Sequence, residues 1–420
     1  MAHFGLVCPP GTSHVTGLTT IARELVQRGH RATVFNILDV EDLAHREGVE
    51  FRALGIADHP RGAFKAFSEK LSELQGLEAL RFGLKVARDE IAMLLEEAPA
   101  AMTDAGVDVL LIDQGQPAGS TLAERLKVPF VTVCNAVPVD RDLNVPLSGT
   151  SWGPARSWID RVRNRACYSI FDIAARPLRQ TINSYRVSWG QAPLQSLFDT
   201  TSPILELAQQ TADFDFPRNT LPQFHYIGLI RRNGSAHVDF PFERLDSRPL
   251  VYASLGTVRA DGQGVFPLLA EACHRLNAQL VITLGGKGKV SDYAHLPGPP
   301  LVVDYAPQMA VLGRAAVTVC HAGNNTVLES LSCAVPVLAV AMNGDQYGVA
   351  ARLCHCGAGE RLDAKRLTAT NFRDAVARLL SNPSYKARAQ AMQASLARAG
   401  GEDRAADLIE QTLRLVRTAA

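Results

Sequence analysis

The sequence predicts an α/β protein of two doubly wound domains that face one another across a cleft. Three observations predict it. The chain is 420 residues long, more than a single core usually serves. Strand, helix and strand patterns follow one another at the N-terminus. A second run of the same alternation begins near residue 250, after a polar stretch with no periodicity.

Residues 3–8 read as a strand and 9–14, Pro-Pro-Gly-Thr-Ser-His, as a loop. Leu18, Ile21, Ala22, Leu25 and Val26 then form the apolar stripe of an amphipathic helix. Gly29 closes that helix, and residues 32–35 begin a second strand. A right-handed βαβ crossover puts the loop at the carboxyl edge of the sheet, where such sheets bind ligands. The loop lacks Gly-x-Gly-x-x-Gly, so no nicotinamide cofactor is expected there. It presents His14, with Ser13 beside it, just ahead of the helix. Residues 36–106 read as mostly helical, with loops around 55–62. Residues 107–112 form a buried-type strand, and Asp113 follows at its end, where a turn residue also fits. A helix over 118–126 and a strand over 129–134 come next. Beyond that strand, Asp140 and Arg141 read either as pocket residues or as a surface ion pair.

Residues 151–180 place Trp152, Trp158, Tyr168 and Phe171 among six arginines and only two aspartates. A basic, aromatic helical stretch suits a membrane surface; it equally suits a solvated face over the cleft. The domain assignment is 1–230, a linker at 231–249, a second domain at 250–400, and a terminal helix at 401–420 that packs back on the first domain.

In the second half, 250–254 is a strand whose turn carries Ser254, Gly256 and Thr257. A helix (265–276), a strand (279–284) and a Gly-rich loop (285–288) follow; the loop lacks the Ser or Thr of a Walker motif. Residues 301–303 and 317–320 are strands. The latter stops at His321-Ala-Gly323-Asn-Asn325-Thr326, and a helix opens. The free N–H groups and dipole of a helix start make an anion site, and Gly323 lets backbone approach a phosphate. Glu329 lies one turn on and can accept from a ribose, although Thr326 and Glu329 also fit a simple capping box. A further strand over 336–341 ends near Asp345-Gln346.

Residues 305–346 resemble the nucleotide-sugar signature of the family-1 glycosyltransferases, which have the GT-B fold of two Rossmann-like domains. The carrying residues are Tyr305-Ala306-Pro307-Gln308, His321 to Thr326, Glu329 and Asp345-Gln346. The resemblance implies that Tyr305 stacks on uracil and the Ala306 backbone reads its edge. His321, Asn325 and Thr326 would hold the pyrophosphate, Glu329 the ribose, and Asp345-Gln346 the hexose. Ser254, Gly256 and Thr257 would line the phosphates, with Gln308 and Gly323 in the same donor site. Tyr305 and Asn324 stand where plant members have Trp, which points to a bacterial branch. The resemblance also makes His14 the general base and Asp113 its orienting partner. An imidazole suits the removal of a hydroxyl proton near neutral pH. Several stretches, among them Asp213-Phe-Asp-Phe-Pro-Arg218, are similar to bacterial zeaxanthin glucosyltransferases. The expected reaction is inverting transfer of a hexose, foremost glucose from UDP-glucose, to a hydrophobic hydroxylated acceptor such as a carotenoid. A polyketide, macrolide or phenolic acceptor, or a non-catalytic nucleotide-sugar sensor, are the alternatives.

A net charge of +1 gives no reason to expect nucleic acid. No cofactor or metal is expected: no carboxylate cluster resembles the Asp-x-Asp metal site of other glycosyltransferases, and Cys354-His355-Cys356 has no second ligand pair. The eight cysteines are expected to be reduced. No signal-type N-terminus is apparent, so a cytoplasmic location is expected, with peripheral membrane contact through 151–180.

Overall fold

In the computed structural model, described here for residues 1–419 except 75, 231–237, 257–263 and 287, two parallel sheets stand side by side. The first lobe runs β1 (His3–Val7), α1 (Thr12–Gln27), β2 (Arg31–Asn36), α2 (Glu41–Arg46), β3 (Glu50–Ala53), α3 (Ala63–Glu73), α4 (Gly76–Ala105), β4 (Val109–Asp113), α5 (Gly119–Leu126), β5 (Phe130–Cys134), α6 (Trp158–Ala174), α7 (Arg176–Ser188), β6 (Glu206–Ala208) and β7 (Phe224–Tyr226). The second runs β8 (Leu250–Ser254), α8 (Val265–Arg275), β9 (Gln279–Thr283), β10 (Leu301–Val303), α9 (Gln308–Leu312), β11 (Val317–Cys320), α10 (Asn324–Ser332), β12 (Val337–Ala339), α11 (Gln346–Cys356), β13 (Gly359–Arg361), α12 (Ala369–Ser381), α13 (Pro383–Ala399) and α14 (Gly401–Ala419).

Strand orders are β3-β2-β1-β4-β5-β6-β7 and β10-β9-β8-β11-β12-β13. Each order reverses once, between β1 and β4 and between β8 and β11. At such a point the loops leave in opposite directions and open a crevice at the carboxyl ends of the strands. Val7 pairs with Ile112 there in one sheet, and Ser254 with Cys320 in the other. The chain therefore carries two crevices, one per lobe.

Three strands escaped the sequence reading, as did the helices α9 and α11. β3 (Glu-Phe-Arg-Ala) is a short edge strand with no buried side chain, so it lacks the apolar run that marks a strand. β6 (Glu-Leu-Ala) and β13 (Gly-Glu-Arg) lack the apolar run that marks β10 and β12, which are equally short. Residues 238–249 are also not simple linker: Phe240 is buried with Leu250 and Tyr252 in the core of the second lobe.

The lobes share more than a hinge. Val137, Phe214 and Leu229 of the first lobe join Val327, Leu331 and Leu396 of the second in one apolar cluster. On α14, Ala405, Ala406, Leu408, Ile409 and Leu413 belong to the core of the first lobe. The 213–218 segment forms a buried charged bolt. Asp215 receives Arg352 of α11 at 2.7 Å, Arg218 at 2.7 Å and the Tyr226 hydroxyl at 2.9 Å. The Arg352 and Asp215 side chains are fully buried, and the Arg352 guanidinium lies over Phe216. Ser395 of α13 donates to Asp213. These contacts fix where α11 begins, and so where Asp345 sits.

Candidate active site

α1 starts at Thr12, well before the stripe that opens at Leu18, with Gly11 as N-cap, so His14 lies in the first helical turn rather than in a loop. His14 Nδ1 meets Asp113 Oδ2 at 2.9 Å, 99 residues apart in sequence. Asp113 is fully buried and ends β4. Burial pushes its carboxyl up, but the His14 charge and hydrogen bonds from His14, Asn135 and the Gly115 N–H outweigh this and hold it below the usual range. The Asp113 charge holds the His14 imidazolium up to about 9 against the opposing effect of burial, and the carboxylates of Asp345 and Glu90 act in the same direction. Asp345 belongs to the second lobe, so both lobes contribute to the field at His14.

Asn135 is a residue the sequence reading missed. Its Nδ2 donates to Asp113 Oδ2 at 2.7 Å, and its backbone carbonyl accepts from Gln209 at 3.1 Å and from Asn324 at 3.4 Å. One residue thus joins the dyad to the start of α10. Gly17 is needed for this: a Cβ there would stand 2.0 Å from Asn135 Oδ1. The signal was present, since a polar residue directly after the apolar run of β5 obeys the same rule that singled out Asp113. Glu90 was missed as well. It accepts from Gln116 at 3.0 Å, and burial pushes its carboxyl up to about 7.

In the second lobe the capping-box alternative fails. α10 begins at Asn324 with Gly323 as N-cap, which puts Thr326 inside the helix; no side chain caps the turn and no acid lies in it. The first N–H groups therefore keep their pull on an anion. Ala322 adopts a left-handed backbone (φ +64°), an arrangement that costs a non-glycine residue about 1 kcal/mol. It turns the His321 ring between two glycines. A Cβ on Gly323 would stand 2.6 Å from His321 Nε2, and one on Gly256 2.7 Å from its Cε1. Gly323 thus makes room for the imidazole beside it. Burial pushes His321 down to about 4, so at neutral pH it is a neutral N–H donor and not a cation. Replacing Gly323 by alanine should displace this ring and raise the donor KM about tenfold, read by initial rates at varied nucleotide sugar.

Glu329 is buried and accepts from Gln308 Nε2; Gln308 Oε1 accepts from the Tyr252 hydroxyl at 2.8 Å. Tyr305 is 55% exposed, its hydroxyl over the Gly286 turn, with Ala306 packed on the core behind it. Ser254 ends β8 and is buried. Thr257 lies outside the described residues. Asn325 Oδ1 accepts from Gln209 at 2.6 Å, so its side chain ties α10 to the first lobe as well as facing the turn. Asp345 precedes α11, its carboxyl pushed up by burial, and Gln346 Oε1 accepts from the Met342 and Asn343 N–H groups. Ser13 is exposed beside His14.

Two expected pocket residues have other work. Asp140 pairs with Arg218 at 2.8 Å, and Arg141 pairs with Asp172 and covers Phe198. Among the described residues neither is hydrogen bonded to the dyad. The bolt, invisible locally, claims Asp140, while Arg141 takes the other role expected of it, a surface ion pair. Aromatic residues stand nearer: Phe64 faces Gly11, and Phe64, Phe67 and Phe82 form a chain of rings at 6.0 and 5.7 Å. Cys354, His355 and Cys356 build no metal cluster among the described residues; His355 packs on Phe216 instead.

Residues 5–398 match the family described as UDP-glucoronosyl and UDP-glucosyl transferase. A zeaxanthin glucosyltransferase of Pantoea ananas is 34% identical over 421 residues, covering 98% of this chain and 96% of that protein. One of Pseudescherichia vulneris is 32% identical over 416 residues, covering 98% of each. The crystal structure of the glycotransferase of kitacinnamycin has a TM-score of 0.77 at 22% identity over 98% of each chain, a likeness of fold.

Proposed function

The chain belongs to the UDP-glucoronosyl and UDP-glucosyl transferase family and is a glycosyltransferase, and on that premise we propose that it moves glucose from UDP-glucose to a hydroxyl of a carotenoid such as zeaxanthin. The observation that carries the reading is the pair of facing crevices: the His14–Asp113 dyad in one, and the uncapped start of α10 with His321 in the other. Asp345 is close enough to act on the charge of His14.

In this reading Asp113 holds Nδ1, which leaves His14 Nε2 for the acceptor hydroxyl. As the acceptor oxygen bonds to the anomeric carbon, its proton passes to Nε2 and the bond to the diphosphate oxygen breaks. The departing UDP takes the electron pair and is met by the α10 N–H groups and the neutral His321 N–H. Attack opposite the leaving group inverts the anomeric centre. These groups meet the charge without a metal ion, so a chelator leaves the rate unchanged. Tyr305 carries the uracil, Glu329 the ribose, and Asp345 with Gln346 the hexose.

The ring chain Phe64-Phe67-Phe82 beside Gly11 supports an apolar acceptor. Such an acceptor resides in membranes, and peripheral contact through residues 151–180 is part of the same reading. A donor panel with zeaxanthin and a simple phenol, read by mass spectrometry, tests it. The expected product is a zeaxanthin glucoside from UDP-glucose with the β configuration. An α-glucoside overturns inversion, and transfer to the phenol alone overturns the acceptor.

A further inference from the structure

The outer face of α6 is apolar and exposed. Trp158 is 71% exposed, Ile170 64% and Ile173 73%, with Ile159, Val162 and Ala166 exposed among them. At 100° per residue these positions fall within an arc of about 120°. Arg161 and Arg165, both exposed, border one side of that arc, and Arg163, stacked on Trp152, borders the other. The acids of the segment are already engaged: Asp160 caps the helix and pairs with Arg163, and Asp172 pairs with Arg141. A strip of tryptophan and isoleucine edged by arginine fits the boundary between acyl chains and anionic headgroups.

Its inner face ties α6 to the cleft. Asn164 donates to the Leu143 carbonyl at 2.9 Å and Tyr168 to that of Val145 at 2.7 Å. That segment continues to Ser148, whose carbonyl accepts from Gly348 of α11 at 2.8 Å, and it starts from Asn135, the partner of Asp113. Among the described residues no helix is long and apolar enough to cross a membrane.

We propose that this face of α6 lies on an anionic lipid bilayer and sets the acceptor cleft against it, an inference that rests on the acceptor reading above for its purpose. A second copy fits worse, because two-fold pairing of α6 brings the arginine rows of both copies together.

Co-sedimentation of the full chain with phosphatidylcholine vesicles, with and without phosphatidylglycerol, tests it. Wild type should pellet with the anionic vesicles and be released by salt. A Trp158→Ser, Ile170→Ser, Ile173→Ser variant should lose at least about tenfold in binding, and Arg161→Ser with Arg165→Ser should lose the preference for phosphatidylglycerol. Both variants should keep wild-type transfer to detergent-dispersed zeaxanthin. Wild type staying in the supernatant, or the apolar variant pelleting equally, overturns the proposal. So does sedimentation velocity showing a dimer that this variant dissolves. Vesicle binding without transfer to any carotenoid leaves this face intact and overturns the acceptor reading instead.

Discussion

Replacing His14 by alanine lowers kcat for sugar transfer by about 10²–10⁴-fold, the usual contribution of a positioned base, while UDP binding measured by calorimetry stays at the wild-type value. The separation is expected because His14 belongs to the first lobe and feels the donor lobe through the charge of Asp345 rather than through a hydrogen bond to it. The wild-type pH profile carries the same argument. With His14 held at about 9 by Asp113, the base form is the minor one at neutral pH. The transfer rate should therefore climb through neutral pH, reach half its maximum near 9 and level off only above it, against an ordinary imidazole midpoint of about 6.5. In Asp113→Asn the rise should move down toward that ordinary value while the plateau falls. A rate independent of pH across this range would remove His14 as the base. The same shift affects folding: a raised imidazole pKa stabilises the native state fully below about 6.5, and this is lost as pH rises through about 9. His321 acts oppositely. With its pKa lowered to about 4, its contribution is present above about 6.5 and lost as pH falls toward 4.

Asp215→Asn should destabilise the protein by about 3–5 kcal/mol, the range for removing one partner from a buried ion pair. It leaves the fully buried guanidinium of Arg352 without its carboxylate, and Arg218 with Asp140 alone. Arg352→Met should cost less, because Asp215 keeps Arg218 and the Tyr226 hydroxyl. Chemical denaturation followed by circular dichroism reads both. Because the bolt joins α11 to the first lobe, the Asp215→Asn transition should also separate into two steps, one per lobe. Asp215 is held below the usual carboxylate range: burial opposes this, and Arg352 and Arg218 overcome it. Its contribution is thus present above about pH 4 and disappears as acid protonates it. A single unshifted transition in Asp215→Asn would remove the bolt from the account of how the lobes are held.

The polar residues at strand ends were legible because strand and turn are local patterns. β8, β10 and β11 coincide with their apolar runs; the turn after β11 was read as an anion site from its place alone, and the residues after β8 and β10 took their roles from the resemblance to a family. Asp113 was visible as a polar residue at a strand end and His14 as one in the loop ahead of a helix, and only the resemblance to a family joined them as a pair before the 2.9 Å contact was seen. Asn135 carried the same mark as Asp113, directly after β5, and was passed over; Gln209 follows β6, a strand that was itself unread, and nothing next to Glu90 in the chain marks it, since its partner lies elsewhere in the chain.

By itself, then, the sequence determined two α/β lobes, a crevice in each, and the residue types at their rims, since hydrophobic periodicity and turn chemistry act over a few residues. Only the tertiary structure decided which rims meet. It drew Asp140 into a buried ion pair, uncapped α10, held His321 neutral and turned the apolar arc of α6 outward. Each of those outcomes is set by burial and by charges distant in the chain, and neither is written into any local stretch of residues.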